Sequence, residues 1–428
     1  MKPDAITDLG AKALSQSIHA RQVSCREVMQ AYLARIEALN PKFNALVSLQ
    51  EPKDLLRQAD ARDAQLARGE SMGWMHGMPQ AIKDIAPVKG LPSTSGSPLL
   101  RNFVPQQDGL MVQRMRSAGC IIVGRSNTPE FGLGSHTFNE VFGATRNAYN
   151  TGKSAGGSSG GAAVALAARL LPVADGSDFM GSLRNPAGWN NVFGFRPSQG
   201  RVPSWPSADV WLGQLGTEGP MARHAQDLAL LLNTQAGPDP RTPLALCDKP
   251  DYSALAPLHT KGPRIGWLGD MNGYLAMEPG ILPLCEQALR RFESLGCVIE
   301  PTALGSSPDA LWQAWLVWRR LLVASRIAPH LAASAGNRAQ IKPEALWEHD
   351  NGLLLNGQDM VRAGAARSAH YQDMLSLFER FDFLALPTAQ VWPFDVQQRW
   401  PKQINGRAMD TYHRWMEVTL YATFAGLP

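Results

Sequence analysis

The serines and lysines between Lys83 and Ser182 offer three different chemistries. The stretch NTGKSAGGSSGGAAVALAARLLPVADGSDFMGSLRNP runs from Asn150 to Pro186 and holds most of them. Gly152-Lys153-Ser154 has the ending of a phosphate loop. That loop needs a glycine where Asn147 stands, and no strand pattern leads into it, so nucleotide binding is not expected. Gly157-Ser158-Ser159-Gly160-Gly161 fits the nucleophile elbow G-x-S-x-G, with Ser159 as nucleophile and an apolar helix former directly after it. Asp395 and His413 follow in the order an acid and a histidine would take, although any chain of this length offers such a pair. The third arrangement joins distant pieces: Lys83 in GMPQAIKDIAPVKGLPSTSGS, Ser158 in AGGSSGG and Ser182 in GSDFMGSLRNPAGWNNVFGFRPSQGRV.

A serine hydroxyl attacks a carbonyl only when a base takes its proton. Lysine is that base only when uncharged, and an exposed lysine near pKa ~10.4 is almost wholly charged at pH 7. Burial and the positive end of a helix starting near Gly161 both favour the neutral amine. Ile82 and Ile85 beside Lys83 are consistent with burial. A carboxylate next to the lysine would oppose its use as a base, so Asp84 is read as structural.

In these ordered blocks, with AGCIIVGRSNTPEFG, GATRNAYN and EGPMARHAQDLALLL between and after them, the chain resembles the amidase signature family of Ser-cisSer-Lys hydrolases. The resemblance is densest from Gly77 to Leu232. It implies Lys83 as the base, Ser158 as the bridging serine after a cis peptide bond, and Ser182 as the nucleophile, 24 residues beyond Ser158 as in the family. It further implies an oxyanion hole of the backbone N–H groups of Phe179, Met180, Gly181 and Ser182, with Gly157, Ser159, Asp178 and Arg184 in support. The reaction implied is hydrolysis of a carboxamide, through an acyl-enzyme, to an acid plus ammonia or amine. No cofactor is implied, and homodimers are common in such enzymes.

Two departures stand out. The family commonly has D-x-G-G-S where this chain has Asp178-Phe179-Met180-Gly181-Ser182, and a left-handed backbone at Met180 would be strained. The family also continues beyond FAGLP with a closing segment. An inactive amidase-like binding protein is therefore one alternative. Another is the glutamine-hydrolysing subunit of a tRNA-dependent amidotransferase, although LGQLGTEGPMAR departs from the Asp-Gln-Ile-Gly-Pro stretch expected there.

These residues need elements to position them. SCREVMQAYLARIEALNP reads as a helix opened by a Ser24/Glu27 capping box, with Val28, Tyr32, Ile36 and Leu39 on one face and Asn40-Pro41 as its stop. Short β-rich runs at Cys120–Val123, Val192–Phe195, Arg264–Trp267, Val298–Ile299 and Phe383–Leu386 alternate with helical stretches at Gly109–Ala118, Gly161–Leu171, His224–Leu232 and Ile281–Leu295. That alternation is an α/β pattern. The resemblance implies a large twisted mixed β-sheet covered by helices on both faces. It reads as a single domain, 1–428: N-terminal helices (1–65), a catalytic core (66–235), a more variable substrate-side region (236–400) and a C-terminal part (401–428). The Pro-rich stretch Pro238–Pro257 is a candidate surface excursion. Trp312, Trp315 and Trp318, three apart, read as an aromatic core stripe.

Composition excludes several classes. With 44% hydrophobic and 18% charged residues in 428, the chain can bury a large core. A net charge of +4 without basic runs does not point to nucleic acid. Five scattered cysteines without a C-x-x-C pair suggest reduced thiols in a cytoplasm, not a disulfide frame or metal site. The N-terminus lacks an apolar signal region, and the run Ala162–Ala174 is too short to span a bilayer, so no membrane association is expected.

Overall fold

The computed structural model describes residues 2–253 and 262–428. Its contacts divide the chain into two compact units: residues 1–254 with 395–397 and 428, and residues 255–394 with 398–427.

The first unit opens with α1 (Pro3–Asp8), α2 (Ala11–His19) and α3 (Cys25–Phe43). The expected capping box starts α3, with Glu27 N donating to Ser24 Oγ and Ser24 N donating to Glu27 Oε2. The expected stop at Pro41 is corrected: the helix runs through it to Phe43 and ends at Asn44, which takes the left-handed conformation (φ 52). One missing N–H is tolerated because the buried face of Val28, Tyr32 and Ile36 continues to Phe43.

Then follow β1 (Leu46–Val47), α4 (Pro52–Ala67), β2 (Pro79–Lys83), α5 (Leu110–Ser117), β3 (Ile121–Ser126), α6 (Gly160–Ala167) and β4 (Val173–Asp178). The unit's remaining elements are α7 (Arg184–Trp189), β5 (Phe193–Gly194), β6 (Thr217–Ala222) and α8 (Ala225–Gln235). β3 lies between antiparallel β1 and parallel β2, and β6 between antiparallel β4 and β5. β2 and β4 run side by side, joined through a side chain: the Asp175 carboxylate accepts from Lys83 N at 3.1 Å and from Gln80 Nε2 at 3.4 Å. The buried carboxylate thereby serves one backbone donor and one side-chain donor of β2. Lys83 ends β2 and Asp178 ends β4, so the candidate site gathers at the ends of two adjacent strands.

α6 is buried along its whole apolar length, Gly160 to Leu166. Its first turn passes so near the backbone of Asn127 and Ala45 that a Cβ on Gly161 would stand 2.5 Å from Ala45 O. Gly161→Ala should therefore destabilise the protein by about 2–3 kcal/mol, read as a lower urea midpoint at unchanged m-value.

Residues 238–253 form no helix or strand, and the last four residues of the Pro238–Pro257 stretch lie outside the described residues. The second unit contains β7 (Arg264–Trp267), α9 (Ile281–Glu293), β8 (Val298–Pro301), α10 (Pro308–Ala333), α11 (Pro343–Gly352), α12 (Gly357–Phe378) and β9 (Phe383–Ala385). The short pair β10 (Gln403–Ile404) and β11 (Arg407–Ala408) and the helix α13 (Leu420–Phe424) complete it. β7 pairs in parallel with both β8 and β9. Trp312 and Trp315 are fully buried, while Trp318 is half-buried under the Arg367 guanidinium. Among the described residues no helix is long and apolar enough to cross a membrane.

Candidate active site

Lys83 reaches the start of α6 from the end of β2. It is 1% exposed, and its Nζ donates to Ser158 Oγ at 2.7 Å and to Ser159 Oγ at 2.9 Å. Ser177 adds its hydroxyl at 3.0 Å and its carbonyl at 3.2 Å. The Gly157–Ser158 peptide bond is cis. Ser159, the next residue, is the N-cap of α6. Space beside the cis bond is tight: a Cβ on Gly157 would lie 3.0 Å from Thr137 Oγ1 and 3.2 Å from His136 N.

Ser182 sits in the turn after β4, and its carbonyl accepts from Ser159 N at 3.2 Å. The structure thus brings Lys83 and Ser158 into direct contact and fastens the Ser182 backbone to the same segment. It does not join the Ser182 hydroxyl to Ser158 by a hydrogen bond among the described residues.

Asp178 builds the Ser182 turn. Its Oδ1 accepts from Gly181 N at 2.8 Å, its Oδ2 accepts from Leu183 N at 3.1 Å, and Arg184 donates to both oxygens at 2.9 and 3.0 Å. Arg196, 1% exposed, donates to the Asp178 carbonyl at 2.5 Å and lies 3.5 Å from the carboxylate. Burial alone would raise the Asp178 carboxyl, but Arg184, Arg196 and the N–H donors hold it well below the usual carboxylate range.

Two expectations about this turn change. The left-handed residue is Gly181 (φ 86), and Met180 is not among the residues with positive φ, so the strain considered for Met180 is absent. The Gly181 N–H, one of the four expected oxyanion donors, is bonded to Asp178 at 2.8 Å. The N–H groups of Met180 and Ser182 take no acceptor among the described residues.

The elbow alternative is not assembled. Ser159 Oγ accepts from Lys83 and lies against Ser177, with no histidine hydrogen-bonded to it among the described residues. His413 is fully buried in the second unit, with neither ring nitrogen hydrogen-bonded among the described residues and Glu348 at 3.9 Å. Asp84 turns to Thr94 and Arg125, its Oδ1 3.3 Å from Arg125 Nε. Sequence reasoning missed Ser177, Asp175 and Arg196. Ser177 and Asp175 reach the lysine because β4 runs beside β2, more than 90 positions away in sequence, and no local pattern announces that.

The Amidase family model matches residues 27–428. The chain belongs to the amidase family. It is a hydrolase of amide bonds, within the amidase signature enzymes. The acylamidase of Rhodococcus erythropolis is 32% identical over 404 residues, 94% of this chain and 83% of that protein. A glutamyl-tRNA(Gln) amidotransferase component from Pseudomonas savastanoi pv. phaseolicola is 37% identical over 440 residues, 97% of this chain and 88% of that protein. A solved bacterial aryl acylamidase of the amidase signature family superposes with a TM-score of 0.90 at 30% identity, over 98% of this chain and 88% of its own.

Proposed function

We propose that this chain is a serine amidase in which Ser182 attacks the amide carbonyl while its proton passes through Ser158 to Lys83. The observation that carries this reading is the buried Lys83 Nζ held 2.7 Å from Ser158 Oγ. Ser158 can donate to the lysine and accept from Ser182 at once, as a relay requires. Negative charge developing on the substrate oxygen is received by the N–H groups of Met180 and Ser182, with Phe179 beside them. The proton returns by the same route to the leaving nitrogen, the amine departs, and water cleaves the Ser182 ester. The acylamidase relatives favour an acyl amide as substrate.

A fluorophosphonate should label Ser182, mapped by peptide mass spectrometry, and a panel of acyl anilides and primary amides should show turnover. Label on Ser159 instead would overturn the assignment. A second reading, glutamine hydrolysis within a tRNA-dependent amidotransferase, is favoured by the 37% identity to a component of that enzyme. Co-purification in a stable complex with two other proteins would select it.

A further inference from the structure

Glu218 lies on β6 directly opposite Ser177 on β4, and its role here rests on the amidase reading. Opposed residues of an antiparallel pair point to the same face, with Cβ atoms about 4.5–5.5 Å apart. Ser177 is the residue whose hydroxyl and carbonyl both accept from Lys83 Nζ, so the register carries Glu218 to the flank of the lysine. Asp175, two residues before Ser177, shares that face and holds Lys83 N. Glu218 is half-buried. Its carbonyl accepts from Thr217 Oγ1, and its carboxyl oxygens take no hydrogen bond among the described residues.

The charged groups around it are few. Burial, and then the charge of Asp175, push its carboxyl up to about 8, against the opposing charges of Lys83 on β2 and Arg114 on α5. Arg116, the other cation of α5, pairs with Asp108. Asp178, the other acid of β4, is engaged by Arg184 and Arg196. Asp227 of α8 accepts from Ala11 N and Lys12 N at the start of α2. Neither α6 nor β5 carries a titratable residue.

We propose that Glu218 is a positioning residue for the base: its charge acts on Lys83 from the strand beside Ser177, so the availability of the lysine amine depends on the protonation of both groups. When the two hold one proton in total, they are either carboxylic acid and amine or carboxylate and ammonium. Only the first leaves Lys83 able to accept from Ser158. The ionised carboxylate favours the second. Replacing it with a neutral group of the same shape removes that arrangement, and a larger share of Lys83 is then unprotonated at every pH. The two groups therefore titrate jointly in the wild type.

The test is the pH dependence of two quantities, kcat/KM on an acyl anilide and the rate of fluorophosphonate inactivation, in wild type, Glu218→Gln and Glu218→Asp. In Glu218→Gln the acid limb of both should move to lower pH, by about half a unit or more, because the charge that stabilises the ammonium form is gone. Glu218→Asp should keep its midpoint closer to that of wild type. An unchanged midpoint in Glu218→Gln overturns the proposal. A lower kcat/KM with no shift overturns it too, and marks a contact with substrate. Wild type that neither reacts with the probe nor turns over an amide refutes the amidase reading itself, and this proposal with it.

Discussion

Lys83→Ala should lower kcat/KM by about 10²–10⁴-fold, the range of a lost general base, and should fall chiefly on kcat. The lysine takes part when Ser182 gives up its proton, so ground-state binding should change little. Alanine also removes four polar contacts at the end of β2, and a loss of activity through misfolding must be told apart. Lys83→Arg makes that separation. The guanidinium keeps the charge and donates hydrogen bonds, but it does not lose its proton in a protein, so it holds the pocket together without serving as a base. Both variants should show wild-type circular dichroism and greatly slowed fluorophosphonate labelling of Ser182. Near-normal turnover by folded Lys83→Arg would remove lysine from the role of base and leave the relay through Ser158 without a destination.

The parts of this protein that were legible in the sequence are those fixed by local chemistry. The α3 capping box and the strand that opens with Ile121-Ile122-Val123 lie where their residues place them, because a cap or a β-branched apolar run acts over a few positions. β2, β4 and β6 were not legible. Their sequences, PQAIK, VADGSD and TEGPMA, carry proline, glycine and acids in place of alternating β-branched residues. They are strands because the sheet around them supplies partners, and they carry the acids and serines that surround Lys83. The motif pieces at Lys83, Ser158 and Ser182 could be read in order. Which oxygens meet the lysine could not, since Ser177 arrives from a strand more than 90 positions away in sequence. Local strand propensity was thus least informative where β2, β4 and β6 carry polar residues for the site.

Asp178→Asn should destabilise the protein by about 3–5 kcal/mol, the cost of removing one partner from a buried charged network. Arg196 is buried almost completely and Arg184 largely so, and both would face a neutral amide. The amide presents one acceptor oxygen where the carboxylate presents two, so Gly181 N and Leu183 N could not both keep their bonds. The sign with pH follows from the depressed carboxyl. Its stabilisation is fully present above the unfolded-state pKa of about 3.9 and is lost as pH falls through the lower folded value. Urea unfolding should therefore show the full gap between wild type and Asp178→Asn from pH 5 to 7 and a narrowing gap below pH 4. Activity should fall further than stability alone explains. Released from Asp178, the Gly181 N–H and its neighbours lose the fixed directions that aim Met180 N and Ser182 N at the oxyanion, and one such donor is worth about 10²–10³ in rate. A variant that is destabilised as expected yet keeps wild-type kcat while folded would mean that Asp178 holds the turn together without orienting those donors.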